Sequence, residues 1–224
     1  MSRSTGVDVI SRDGLADALN GVECIVDTAT GPSSEMQAAT AFFRTAARNL
    51  QDAGKEAGVR SIVVVSIIGC DRFRTGYNAA KVAHEQALVA GPIPAQVLRA
   101  AQFHELVEQL VDWGRQSEVS HVPKMRIQPV AARTVAEALA DLATAAASPT
   151  LGSPSAIPEI AGQREESLVD LARQLIAHRG ESLRIEGVSD PDEPGLYEGG
   201  ALLPHEHAVL AGPTFEDWLG EQPR

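Results

Sequence analysis

Lysine is scarce in this chain, at Lys55, Lys81 and Lys124 only, and 19 basic side chains face 30 acidic ones for a formal net charge of -11. Nucleic acids and anionic membranes are held by clustered cations that neutralise phosphates, so this charge balance argues against both as partners. Aromatic residues are only 4% of the chain, which disfavours an aromatic-rich sandwich or barrel and suits helices packed on a parallel sheet. Cys24 and Cys70 stand in separate apolar runs, without a Cys-x-x-Cys pair or a zinc spacing, and read as buried thiols. His205-Glu206-His207 has no third ligand at a suitable spacing, so no metal is expected. No apolar run approaches the roughly 20 residues of a membrane span, and no signal-like stretch opens the chain. A cytoplasmic protein is the expectation.

What is present is an alternation of strand-like and helix-like segments. Ser11 to Asn20 reads as a short helix with a serine cap, ahead of a strand at Glu23 to Ala29. A long helix is expected from Glu35 to Ala57, closed by Gly58, and then the apolar run Ser61-Ile-Val-Val-Val-Ser66. A helix through Tyr77 and Lys81 stops at Gly91-Pro92. A strand from Ala95 to Arg99 and an amphipathic helix from His104 to Arg115 come next, before a strand-like Met125 to Val130. Helices over Thr134 to Ala147 and Glu165 to His178 flank a loop at 148–154 and a short strand at Ile157 to Ile160. Ser189 to Gly200, rich in Asp, Pro and Gly, is expected to lack regular structure. Thr214-Phe-Glu-Asp217 signals a capped final helix. The β-α-β-α order implies parallel strands, and continuously apolar strands imply burial on both faces. The fold class is therefore α/β, a doubly wound parallel sheet. A single domain is expected, with a small C-terminal α+β region.

Ser66, Tyr77 and Lys81 carry the chemistry. A phenol four residues before an ammonium on one helix face loses its proton more readily, because the positive charge stabilises the phenolate. A serine at a strand end can orient a substrate oxygen beside them. That is proton transfer coupled to hydride movement at a carbonyl.

Five segments extend this pattern: Asp13–Leu19, Gly21–Ala29, Arg48–Val59, Ile62–Gly69 through Gly76–Glu85, and Val97–Glu105. On them the chain resembles the atypical short-chain dehydrogenase/reductase superfamily, in its NmrA-like, NAD(P)-binding branch. The resemblance implies one Rossmann-like domain over residues 1–224, in which residues 1–105 bind the dinucleotide and residues 106–224 form the substrate region. It also implies roles. Tyr77 exchanges the proton, Lys81 binds the nicotinamide ribose and lowers the tyrosine pKa, and Ser66 orients the substrate. Thr28, Ala29 and Thr30 follow the strand beside the cofactor, and Ala100, Ala101, Gln102 and Phe103 line the nicotinamide or substrate end. Arg3 and Ser4 match an Arg-Ser after the family's second strand, where an arginine selects NADP over NAD.

The Gly-x-x-Gly-x-x-Gly turn of that family has no counterpart among the 19 glycines. By the resemblance the fold is N-terminally incomplete, beginning at the end of the family's second strand. The functions implied are an oxidoreductase on a small carbonyl or alcohol, a non-catalytic dinucleotide sensor or regulatory protein, or a truncated remnant without cofactor. The expected partners are a small-molecule substrate and a second copy of the chain.

Overall fold

The computed structural model describes residues 3–146 and 156–222; the expected loop at 148–154 lies outside them. Five strands form a parallel sheet in the order β1 (Cys24–Asp27), β2 (Ser61–Ile67), β3 (Ala95–Ala100), β7 (Glu159–Ala161) and β10 (Val209–Leu210). With its flanking helices this is a Rossmann-like α/β fold. The chain divides into two interleaved compact units. One comprises Met1–Ser66, Arg74–Leu98 and Glu137–Ile157, the other Ile67–Phe73, Arg99–Ala136 and Pro158–Arg224.

In the first unit, α1 (Leu15–Ala18) is one turn long, shorter than expected. Gly14, at φ 64, takes the cap position as a left-handed residue, and the Ser11 hydroxyl is spent on Asp13 instead. After β1 comes α2 (Met36–Ala57), where the Glu35 carboxylate accepts the N–H groups of Gln37 and Ala38 and so caps the first turn. Gly58, at φ 79, ends the helix as its sequence position suggested. Asn49 donates to the carbonyls of Val9 and Ile10 and ties the preceding loop to α2.

β2 is buried almost throughout, whereas β1, at the end of the sheet, alternates and leaves Val26 42% exposed. The connection from β2 to α3 (Gly76–Val89), and from α3 to β3, moves the chain one strand at a time in one direction. Two such crossovers of one hand bring α2 and α3 to the same face, where they pack side by side. Ile25, Ile62, Val64, Leu50 and Leu88 form the core beneath them. The buried Gln51 amide donates to the carbonyls of Leu88 and Ile93 and accepts the Ile93 N–H, which fastens the Gly91-Pro92 turn.

In the second unit, α4 (His104–Trp113) is followed by a strand set that the sequence does not announce. β4 (Arg115–Gln116), β5 (Val119–Pro123) and β9 (Arg184–Val188) form a separate three-stranded sheet, with β5 and β9 parallel. The strand expected at Met125 to Val130 contracts to β6 (Arg126–Ile127), paired with β8 (Glu166–Ser167); Pro129 has no N–H to extend the ladder. α5 (Ala132–Ala146), most of which belongs to the first unit, and α6 (Leu168–Arg179) fall close to their expected places. The stretch at 189–200 is not wholly irregular, because Pro194 opens the short helix α7 (Pro194–Glu198). The final helix α8 (Phe215–Gly220) is capped as expected, the Thr214 hydroxyl accepting the Asp217 N–H. Phe215, Leu171, Leu168 and Val111 belong to the core of this unit.

Gly69 has φ 72, and a Cβ there would lie 1.9 Å from the Ala201 carbonyl oxygen. Both the backbone conformation and the space require glycine. Gly69→Ala is therefore expected to cost about 2 kcal/mol or more of stability, read as a lowered midpoint in chemical denaturation.

Candidate functional site

A Rossmann-like sheet receives its ligands outside the carboxyl ends of its strands. In the first unit β1 ends at Asp27, and the loop 28–35 leads away to α2. Ser66 is the penultimate residue of β2 and is buried. Tyr77 occupies the second position of α3, and Lys81 the next turn, so both helix residues come to these strand ends.

The Tyr77 hydroxyl accepts the Gly31 N–H at 3.4 Å and a hydrogen bond from the Thr30 side chain. Its ring meets Phe43 edge-on, with centroids 5.5 Å apart. Burial pushes the phenol above its ordinary pKa, and the bonds from Gly31 and Thr30 only partly oppose this. The direction is opposite to the one that the Tyr/Lys spacing suggests.

The lysine is engaged elsewhere. Lys81 is only 4% exposed. Its Nζ donates to the Val65 carbonyl at 3.0 Å, meets His84 Nδ1 at 3.0 Å, and lies 4.7 Å from the Phe43 ring centroid. His84, fully buried, directs Nε2 to Asp27 Oδ2 at 2.9 Å and stacks on Phe43 with centroids 4.6 Å apart. Asp27 Oδ1 accepts the Ala29 N–H at 2.9 Å. Burial works hardest on Asp27, against ionisation, but the hydrogen bond and charge of His84, the Ala29 N–H and the Lys81 charge together outweigh it and hold the carboxyl below its ordinary range.

Thr28 and Thr30 are exposed and Ala29 half-buried in the loop after β1. Arg3 and Ser4 stand in a single 3-10 turn, Arg3–Thr5. In the second unit, Ala100 ends β3, the Ala101 N–H donates to Ile160, and Phe103 precedes the first turn of α4. The Gln102 carbonyl accepts the Val130 N–H, while its buried Oε1 has no hydrogen-bond partner among the described residues. His104 is committed elsewhere: Nε2 donates to the Pro213 carbonyl at 3.2 Å, and its ring packs against Phe215 and Trp218 of α8. Glu105 accepts the Ala132 N–H at the start of α5.

Exposed threonines, a half-buried phenol and a buried ammonium lie at two strand ends of the first unit, groups of the kind that a ribose and nicotinamide would need. For a diphosphate these residues offer no Gly-x-x-Gly-x-x-Gly turn. A surface hollow of about 410 Å³ between α2 and α3, lined by Arg44, Arg48, Asp52 and Gln86 among others, contains none of the candidate residues. No group of three or more metal-ligating side chains occurs among the described residues, and no helix there is long and apolar enough to cross a membrane.

Sequence reasoning did not mark Asp27, His84 or Phe43 as site residues. Their only sequence signal was His84 three residues after Lys81 on one helix face.

No family model and no curated protein matches the chain. Solved structures match the fold. Over 97% of this chain and 86% of the other, it is similar to dTDP-4-dehydrorhamnose reductase from Bacillus anthracis, solved with NADP, at 15% identity and a TM-score of 0.64. UDP-galactose 4-epimerase matches with 17% identity and a TM-score of 0.61, over 94% of this chain and 75% of that one. Gox2253 matches with 18% identity and a TM-score of 0.53; 80% of this chain is covered, but it spans only 63% of gox2253. The likeness is one of fold, shared with a reductase solved with NADP and with a UDP-galactose 4-epimerase.

Two titrations check the site's electrostatics. The folded-state pKa of Asp27 lies below the unfolded one, so its stabilisation is complete above the unfolded value and is lost as pH falls through the folded value. The stability difference between wild type and Asp27→Asn, from denaturation at a series of pH values, is therefore expected to shrink as pH drops below about 4. For Tyr77 the folded pKa lies above the ordinary value. In a spectrophotometric titration of the chain's two tyrosines, the component removed by Tyr77→Phe is expected to ionise above pH 10 or so.

Proposed function

We propose that this chain is an NAD(P)-binding oxidoreductase acting on a carbonyl or alcohol, with Ser66, Tyr77 and Lys81 as its reacting-end residues. The observation that carries the reading is the meeting of Tyr77 and Lys81, from one helix, with the carboxyl ends of two parallel strands. Bound NAD(P)H would supply the hydride. The chain's own residues do the rest. The Tyr77 phenol, kept protonated by burial, gives its proton to the carbonyl oxygen, which suits the reductive direction. Ser66 orients that oxygen, and the Lys81 ammonium holds ribose hydroxyls and compensates charge as the phenolate forms. Thr28, Ala29 and Thr30 contact the nucleotide beside β1. By the resemblance, Ala100 to Phe103 serve the nicotinamide or substrate end.

Among substrates, a small carbonyl compound and a nucleotide-linked keto sugar both fit the reaction. The second class is suggested by the names of dTDP-4-dehydrorhamnose reductase and UDP-galactose 4-epimerase. The five sequence segments support an NmrA-like lineage, and Arg3 with Ser4 supports NADP. A homodimer in the cytoplasm completes the reading.

A second reading, a non-catalytic dinucleotide binder, is favoured by one specific observation. The ammonium that would activate Tyr77 is bonded to Val65 and His84, and the phenol is pushed up. Thermal shift and NADPH oxidation separate the two. The oxidoreductase is expected to be stabilised by NADPH and to oxidise it with a keto sugar nucleotide or small carbonyl, with Tyr77→Phe lowering turnover about 100-fold or more while keeping the thermal shift. Stabilisation without turnover favours the binder, and neither effect overturns both.

A further inference from the structure

The buried polar chain beneath Tyr77 uses two residues that the proposed reaction leaves unassigned. Position 84 lies at 0% exposure, stacked on Phe43 and facing the end of β1. Apolar residues in place of the whole Lys81–His84–Asp27 chain would serve stability about as well, because a buried polar network is often no more stable than apolar groups of similar size. The imidazole does something that an apolar side chain does not. An ammonium can only donate, so the 3.0 Å contact from Lys81 Nζ makes His84 Nδ1 the acceptor. The ring proton must then stand on Nε2, where it is donated to Asp27 Oδ2 at 2.9 Å. The other carboxylate oxygen is engaged by the Ala29 N–H. Polarity therefore runs one way through the network, from ammonium to imidazole to carboxylate. The Val65 carbonyl and His84 Nδ1 both accept from Nζ, and the Phe43 ring packs against both lysine and histidine.

We propose that Asp27 and His84 are positioning residues for Lys81: the carboxylate selects the Nε2–H tautomer of His84, and Nδ1 then anchors the ammonium at the carboxyl end of β2. The purpose rests on the reading of Lys81 as the ribose-binding residue; the tautomer and the anchoring do not. Desolvation alone drives a lysine at 4% exposure toward the neutral amine. The Asp27 charge, transmitted through a neutral ring, keeps it an ammonium able to donate to hydroxyls. Glu85, also buried on α3, and Tyr77 are the other ionisable groups in this stretch of the helix.

Nitrogen NMR of the full chain tests this without cofactor or substrate. With labelled histidine at neutral pH, His84 is expected to show the Nε2–H tautomer with Nδ1 unprotonated. An Nδ1–H tautomer, or a doubly protonated ring, overturns the proposal. With labelled lysine, Asp27→Asn and His84→Leu are each expected to lower the Lys81 ammonium pKa by about 1 unit or more. His84→Gln, whose amide has one acceptor and one donor, is expected to restore most of it. A Lys81 value unmoved in Asp27→Asn overturns the anchoring even when the tautomer is as expected. Should His84→Leu fail to fold, the wild-type tautomer and Asp27→Asn decide alone. If these hold while no dinucleotide binds, the oxidoreductase reading falls and the positioning stands. If dinucleotide binds and reacts while the Lys81 pKa is unmoved, only the positioning falls.

Discussion

A lysine ammonium held out of water at the end of a parallel strand is the constraint on which the candidate site depends. Burial makes that charge unfavourable unless acceptors and a counter-charge are supplied. The chain supplies them from three elements: Val65 on β2, His84 on α3 and Asp27 on β1, with Phe43 of α2 packed against the charge. Satisfying one residue therefore fixes α2, α3 and two strands against each other. It also separates Lys81 from the simple role that its spacing from Tyr77 suggests, since its bonds point into the core of this unit.

That division explains the state of the phenol. Tyr77 takes hydrogen bonds from Gly31 and Thr30, which stabilise the phenolate, but burial outweighs them. A protonated tyrosine beside an anchored cation suits proton donation more than proton abstraction. Phe43 links the two groups, edge-on to Tyr77 and stacked on His84. In the first unit the apolar packing and the polar chemistry are thus the same set of contacts.

Much of this half of the fold was legible in the sequence. The 3.6-residue periodicity and Gly58 delimit α2 to within a residue, and the run Ser61 to Ser66 reads directly as β2. What escaped was set by long-range contacts. Asp27 and His84 are 57 residues apart, and nothing in the local pattern of either says that they meet. The role of Asn49 was hidden for the same reason, its partners Val9 and Ile10 being 40 and 39 residues away. β5 and β9 were missed because Val119 to Pro123 mixes Ser and His into a strand whose partner lies beyond two helices. Pro194 gave a local signal for α7, and the surrounding Asp and Gly residues masked it.

The central claim is that the anchored ammonium of Lys81 is there to hold a dinucleotide. Calorimetric titration of NADPH into the wild-type chain and into Lys81→Met measures it most directly. The account predicts binding by the wild type and an affinity weaker by about tenfold or more in the variant, equivalent to roughly 1.4 kcal/mol. Equal affinity in the two, or no heat of binding in the wild type, would contradict it.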